Sequence, residues 1–556
     1  MSTNIKDVND NKKLYNSLKE RFDSLVERRK PNDALRWEAL SYVGHRLKGS
    51  SDPDCPTPDT RLYSAAGVRA FNRFADGFMG NVMSRNIRWF ATQYEDPLFQ
   101  DSDDIEGANE YFSKADQRMY SELDRSNFYP ESMIAFKDSV ATGSSAMFVQ
   151  NDTEDKICCY RTVAPWRWWA DVNKYGTFDT FFYRYWLTND KFLDEFGETA
   201  PETLVKAAKK NPFSQDKKEI IQCIYPRNNF YPNSKISTRK KFACVYIDVT
   251  DACVVKESGF DQFPVIIHVY DRSGDDIYGT GLVMAYISEF RKLNRLAYDF
   301  AFALRMAGMG MWAVPNSMVD KFMIQPEAVL PYTSSDQIPI RTDREDASVQ
   351  YQLQALNEQI DLVNSLLYND MFTYMMQQTK VYTATQVNAV RSEELSLLAA
   401  VFGNTQKQKI EKSLRLTFYL MAKNGRIETP PKEILKNMNM LNFSLNSVLA
   451  QSLQAYSQKD ANLANLETAS TFASLGLTEP LDNYDFDYIC RAISRGSGAD
   501  ARSMKSKRAV QEIRAYRQQQ QEAQMQNQMA LNQSEMVRNL RGGGASNNPT
   551  GVNQAQ

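Results

Sequence analysis

The sequence predicts an α+β protein that is mainly helical. Three observations lead there. Apolar residues recur at spacings of three and four from residue 10 to about 143 and again beyond Gly281; a middle block rich in aromatic and β-branched residues reads as short strands; and two long apolar seams of matched length flank a small insert.

Taken in order, Leu14, Leu18, Phe22 and Leu25 recur at helical spacing, and Pro31-Asn32-Asp33 reads as a break followed by a new helix N-cap. Helical patterns follow in SAAGVRAFNRFADGFMGNVMS from Ser64 and in NEYFSKADQRMYSELDRSN from Asn109. The stretch YPESMIAFKDSVATGSSAMFVQND reads as a helix ending near Gly143 and a strand from Ala146. Strands are expected in ICCYRTV, WRWWADV, FDTFFYRYWLT, EIIQCIYP, FACVYIDV and VIIHVYD. The tryptophans Trp166, Trp168, Trp169 and Trp186 read as sheet core and subunit packing rather than a base-stacking platform, because no basic groove accompanies them.

After Gly281 the pattern returns to helix. Val283, Tyr286, Phe290, Leu293, Ala297, Phe300 and Leu304 form one seam; Leu353, Leu356, Ile360, Val363, Leu367, Met371 and Tyr374 form a second. Residues 281–308 and 351–377 then make two rods of about 42 and 40 Å. The insert between them, 309–350, reads as a β-α-β-like module, with extended pieces at Met311–Pro315, Val329–Tyr332 and Ile338–Arg341 and a helix-prone piece at Val319–Met323. Apolar residues off the seam, such as Ile287 and Met306, imply several helical neighbours, as in a ring or bundle. A further long helix is expected through TATQVNAVRSEELSLLAAVFGNTQKQKIEKSLRLTFYLMAKNG, stopping at Gly425, with others in LAQSLQAYSQKDANLANLETASTFASL and DFDYICRAISRG. The Gln-rich end reads as a peripheral helix leading to a polar tail.

Composition narrows the function. A formal net charge of −2 over 556 residues gives no global field for nucleic acid. The six charges of the first rod are incompatible with a membrane span, and the N-terminus has no apolar signal region. Seven scattered cysteines without a CxxC pair predict free thiols. With only two histidines, His45 and His268, the common zinc and Cys/His arrangements have no raw material. GNTQKQK at Gly403 lacks the second glycine of a phosphate-binding loop, so an ATP-driven motor is not expected. Asp275-Asp276 and Asp101, Asp103 and Asp104 read as solvated loop carboxylates rather than a metal site. No enzyme, cofactor or metal is expected. The basic runs at Arg239-Lys240-Lys241 and ARSMKSKRAVQEIRAYR read as solvated turns and as a helix able to touch phosphates.

The stretches AGVRAFNRFADGFMGNVMSRNIRWFATQ, NFYPESMIAFKDSVATGSSAMFVQND, YGTGLVMAYISEFRKLNRL and VYTATQVNAVRSEELSLLAAVFG, in this order and spacing, resemble the portal proteins, or head-to-tail connectors, of T7-like short-tailed bacteriophages. The resemblance covers residues 10 to 500. It implies a portal fold assembled as a ring, commonly of twelve copies, at one capsid vertex. On this sequence it implies a wing over 1–280, stem helices at 281–308 and 351–377, a clip at 309–350 and a tunnel loop and long wing helix over 378–439. A crown over 440–505 and a tail over 506–556 complete the division. The partners it implies are double-stranded DNA in the channel, the terminase packaging motor, a tail adaptor and the capsid and scaffold proteins, with no membrane. The location it implies is the virion, after assembly in the host cytoplasm. Another oligomeric virion protein, a tail adaptor or an injected core protein, is the competing reading.

Within that frame, symmetry multiplies every charge that faces the axis, so a neutral or acidic wall lets a duplex slide. The second rod carries Glu358, Asp361 and Asp370 and no Lys or Arg, which makes these three the expected tunnel lining. The first rod carries four cations and two anions and is expected to pair with a neighbour's carboxylates. Gln377, Gln378, Thr379 and Lys380 are the expected tunnel-loop contacts to DNA.

Overall fold

A computed structural model describes, with short interruptions, residues 8–313, then 340–342, 347–370, 398–428 and 441–445. Beyond these it describes a few helical residues between 468 and 490 and the helix at 507–542. The chain divides into two compact units, Met1–Ser457 and Gln458–Gln556.

The first unit begins with helix α1 (Val8–Val43), which runs through Pro31 without a break. The expected break does not form because Pro31 sits on the exposed side of α1, where the carbonyl freed by the missing N–H faces water. The buried side is meanwhile locked down: Arg29 donates to the carbonyls of Pro165 and Trp168, pairs with Asp33 at 3.0 Å and lies 4.6 Å from the Trp169 ring. Helices α2 (Ala66–Val82), α3 (Asp103–Arg125) and α4 (Phe128–Thr142) follow, with strand β1 (Phe90–Tyr94) between α2 and α3.

The strand block contains β2 (Ser144–Asn151), β3 (Cys158–Val163), β4 (Trp168–Val172), β5 (Phe178–Thr188), β6 (Lys217–Pro226), β7 (Phe242–Asp248), β8 (Cys253–Phe260) and β9 (Val265–Val269). Two short helices, α5 (Asn189–Phe196) and α6 (Glu202–Lys210), link β5 to β6. The strands form two antiparallel sheets in the orders β3-β2-β9 and β4-β5-β6-β7-β8. Alternation along β4 sends Trp168 and Trp169 to opposite faces of the larger sheet. Trp169 joins Tyr15, Leu18, Phe22 and Leu25 of α1, while Trp168 joins Phe148, Phe181 and Ile267. The tryptophans are therefore core, as their sequence context predicts; Trp186 is half-buried under Arg167 and Arg184.

Past Gly281 a four-residue helix α7 (Leu282–Ala285) leads through Tyr286 into α8 (Ile287–Met309). Strands β10 (Met311–Ala313) and β11 (Ile340–Thr342) pair antiparallel, and α9 (Ala347–Leu366) returns along α8. At 1.5 Å per residue α8 and α9 extend about 34 and 30 Å. The second rod is not the uninterrupted helix 351–377 that its seam predicts. Tyr368 takes φ 54° and ends α9 in a turn that packs Leu367 and buries Asn369, whose side chain donates to the Ala70 carbonyl. Met371 and Tyr374 lie outside the described residues, as do Val319–Met323 and Val329–Tyr332 of the insert.

The long helix begins within the described residues at Leu398, widens into a π turn at Gln406–Ile410 and continues as α10 (Glu411–Lys423). It stops where expected, with Gly425 N–H donating to Ala422 and Arg426 N–H to Met421. Strand β12 (Leu441–Leu445) pairs with β1, Phe90 opposite Leu445, a contact across most of the chain. In the second unit α11 (Lys507–Gly542) is the expected Gln-rich helix, and its Arg514 makes a two-pronged pair with Asp487.

Candidate functional site

The site is the α8–α9 hairpin, the root that fixes it and the buried charge cluster beneath. At the root, Gly143 caps α4 with φ 94° and its N–H donates to Ser139. Gly279, at φ 66°, lies directly against it. A methyl group built on Gly143 would sit 2.3 Å from the Gly279 carbonyl oxygen, and one on Gly279 would sit 2.3 Å from that of Asp271. Both positions combine a left-handed backbone with contact closer than any Cβ tolerates. This explains why TG and YGTG occur at these two places in the sequence. Asp271 and Thr280 form a bridge that turns the chain out of β9 into α7.

Beside the root, Asn404 donates to the carbonyls of Val269 and Tyr270, and the Gln408 side chain accepts from the Val269 N–H. The GNTQKQK stretch is thus a clamp on the β9 edge, helical as expected from its pattern. The π turn also brings Lys409 inward. Lys409 is buried and donates to the Ser132 carbonyl, and burial pulls its pKa down to about 7 against the opposing pull of the Asp138 carboxylate.

Asp138 has no solvent exposure and is the hub of this region. Arg46 grips both its oxygens at 2.8 Å, and His45 Nε2 lies 2.9 Å from Oδ1. Arg46 takes φ 61° to reach it. His268 is buried nearby, stacked on Phe136, with Nε2 3.4 Å from the Thr405 hydroxyl. Burial, reinforced by Lys409 and Lys412, lowers its pKa from 6.5 to about 3. A histidine held neutral in the fold adds stability that is complete above pH 6.5 and is lost as pH falls toward about 3. Denaturation measured between pH 6.5 and 5 should show that decline, and His268→Phe, which keeps the stack on Phe136, should flatten it.

Along the hairpin, Val283, Phe290, Leu293 and Ala297 of the first seam and Val363 and Leu367 of the second are buried. Gln359 crosses between the rods and donates to the Glu289 carboxylate at 2.8 Å. Towards the tip the apolar residues emerge: Phe302 is 52 %, Leu304 48 %, Tyr351 73 % and Leu353 43 % exposed. Glu358, Asp361 and Asp370 are all exposed, and Glu358 accepts only from Gln354 one turn away among the contacts of the described residues. The cations of α8 differ from expectation in one respect. Arg291 finds its carboxylate inside the chain, gripping Glu38 of α1 through two bonds of 2.7 and 2.6 Å and holding that carboxyl below its usual range. The pairing depends on α1 continuing past Pro31, which the local sequence did not predict. Arg295 bonds Asp299 at 3.2 Å on the exposed surface. Gln377, Gln378, Thr379 and Lys380 lie outside the described residues.

Asp276 is held by side chains of α1. It accepts from Arg36, Asn32 and the Tyr278 N–H and so ties α1 to the root. Among the described residues no cluster of ligands able to hold a metal occurs, the seven cysteines are free, and no helix is long and apolar enough to cross a membrane. The Asp138 cluster escaped the sequence reading; its only signal was a carboxylate inside the apolar run MIAFKDSVA.

Two known proteins are similar over nearly the full length. The portal protein of Salmonella phage epsilon15 is 24 % identical over 493 residues, covering 86 % of this chain and 85 % of its own. The probable portal protein of Bordetella phage BPP-1 is 22 % identical over 468 residues, covering 83 % and 82 %. Residues 15–504 match the family described as bacteriophage head to tail connecting protein, and the chain belongs to that family.

Proposed function

We propose that this chain is a phage portal protein: twelve copies close into a ring at one capsid vertex, and the ring is the channel for DNA packaging and ejection. The observation that carries the reading is the hairpin of a family member whose seam is buried at the root and uncovered at the tip. Exposed Phe, Leu and Tyr side chains gathered near the tip are what a monomer avoids and an assembled ring covers. The protein acts by geometry rather than by catalysis. The wing over 1–280 and the helix through 378–439 scaffold the stem, the clip at 309–350 receives the terminase motor and then a tail adaptor, and 440–505 forms a crown. Capsid and scaffold proteins hold the ring at the vertex of the virion after assembly in the host cytoplasm.

The exposed carboxylates Glu358 and Asp361 of α9 and Asp370 just beyond it belong to the channel wall in this reading, Asp361 and Asp370 most directly, with Glu358 at the edge. Repeated around the ring they keep the wall from binding phosphates, while Lys380 with Gln377, Gln378 and Thr379 supplies sparse contacts. Electron microscopy of the purified protein should show closed rings with a central hole; a monomer under every assembly condition would overturn the reading. Asp361→Lys should leave rings intact and depress DNA packaging most strongly at low salt, because a collar of lysines grips the duplex. Unchanged packaging would remove Asp361 from the wall.

A further inference from the structure

The hairpin carries two exposed stripes that fit one another but belong to different sides of the same chain. On α8, Arg295, Tyr298, Phe302 and Arg305 recur at spacings of three and four, which is one helical face. Tyr298 meets Tyr63 edge to face at 4.8 Å and Phe302 in a stacked arrangement at 6.5 Å. Tyr63 is 50 % exposed, so these rings form an open aromatic platform. On α9, Tyr351, Glu358 and Leu362 recur at spacings of seven and four on another single face, with Tyr351 and Leu362 exposed.

The tip end of the α9 stripe is level with the α8 platform. The Gln359–Glu289 bond fixes the antiparallel register of the rods. Stepping back along α9 from Gln359 to Tyr351 and forward along α8 by as many residues from Glu289 reaches Ala297, beside Tyr298. A rotation about the ring axis leaves heights unchanged, so Tyr351 of one copy meets the platform of the next at its own level. Helical side chains lean toward their N-termini. From antiparallel helices, Arg295 and Glu358 therefore lean toward each other in height. Arg295 lies over the Tyr298 ring at 5.5 Å and bonds Asp299, and at 73 % side-chain exposure it is open to a second carboxylate.

We propose that the subunit contact of the stem is a clasp in which Tyr351 of one copy covers the Tyr63–Tyr298–Phe302 platform of the next, with Glu358 meeting Arg295. This rests on the ring reading, and a second copy of this chain is the occupant. It assigns Glu358 to the contact between copies at the edge of the wall and leaves Asp361 facing the channel.

The test uses the full-length chain. Arg295→Glu and Glu358→Arg should each lower the yield of rings by about tenfold through like-charge contact, and the double exchange should restore it. Because each substitution is on an exposed face, thermal unfolding of the free chain should not change. In a second arm, Tyr298→Cys and Tyr351→Cys chains, both carrying Cys490→Ser, are mixed before assembly and oxidised. A covalent pair containing one of each chain is expected, and neither variant alone should give it. If the parent forms rings while both single reversals assemble normally, or the mixed cysteines fail to join, the clasp is wrong and the ring stands. If the parent forms no rings, both readings fall.

Discussion

Asp138→Ala is expected to destabilise the protein by about 3–5 kcal/mol, the range for removing one member of a buried ion pair. The carboxylate is fully enclosed, and its removal leaves the Arg46 guanidinium and His45 without their acceptor and Lys409 without its nearest countercharge. Asp138→Asn keeps the shape but cannot accept through both oxygens, so it should be nearly as damaging. Combining Asp138→Ala with Arg46→Met should recover part of the loss, since the stranded charge goes with it. Denaturant titration of the three variants decides it. A loss under about 1 kcal/mol for Asp138→Ala would mean that water reaches the cluster and the hub is not needed to hold the end of α1.

Gly279→Ala is expected to disturb the root of the hairpin as well as stability. The left-handed backbone alone makes alanine costlier than the usual gain of about 1 kcal/mol from a Gly→Ala change. The methyl also collides with the backbone of Asp271, and so β9, the bridge at Thr280 and α7 have to move. Gly274→Ala is the matched control: its φ is 60°, and nothing lies within 4 Å of the added methyl. Gly279→Ala should therefore unfold earlier than Gly274→Ala and give fewer or irregular rings. Equal behaviour of the two would show that backbone strain is all that matters and that the close approach has no consequence.

Much of the architecture was legible along the chain because local patterns carry it. The 3.6-residue spacing of Phe71, Phe74 and Phe78, the alternation in β5 and the glycine after Thr142 each report a conformation that neighbouring residues enforce on one another. The paired seams announced the hairpin for the same reason. Strand β8 and the short strands β1 and β12 did not announce themselves. The last two stabilise each other across the chain, and neither has the length or alternation to be recognised alone. The Pro31 and Tyr368 errors have a common source: at both places tertiary contacts, through Arg29 and Asn369, outweigh what the local residues prefer.

The sequence by itself determined the class of the protein, the family resemblance, the helical hairpin with its tip insert, and the acidic character of the returning rod. Those are properties of order and spacing, which a linear reading preserves. Only the tertiary structure decided that Arg291 answers to Glu38, that Asp138 gathers Arg46 and His45 beneath the root, and that Gly143 and Gly279 touch. Such contacts join residues tens to hundreds of positions apart, and their strength comes from exclusion of water, which no short stretch of sequence can express.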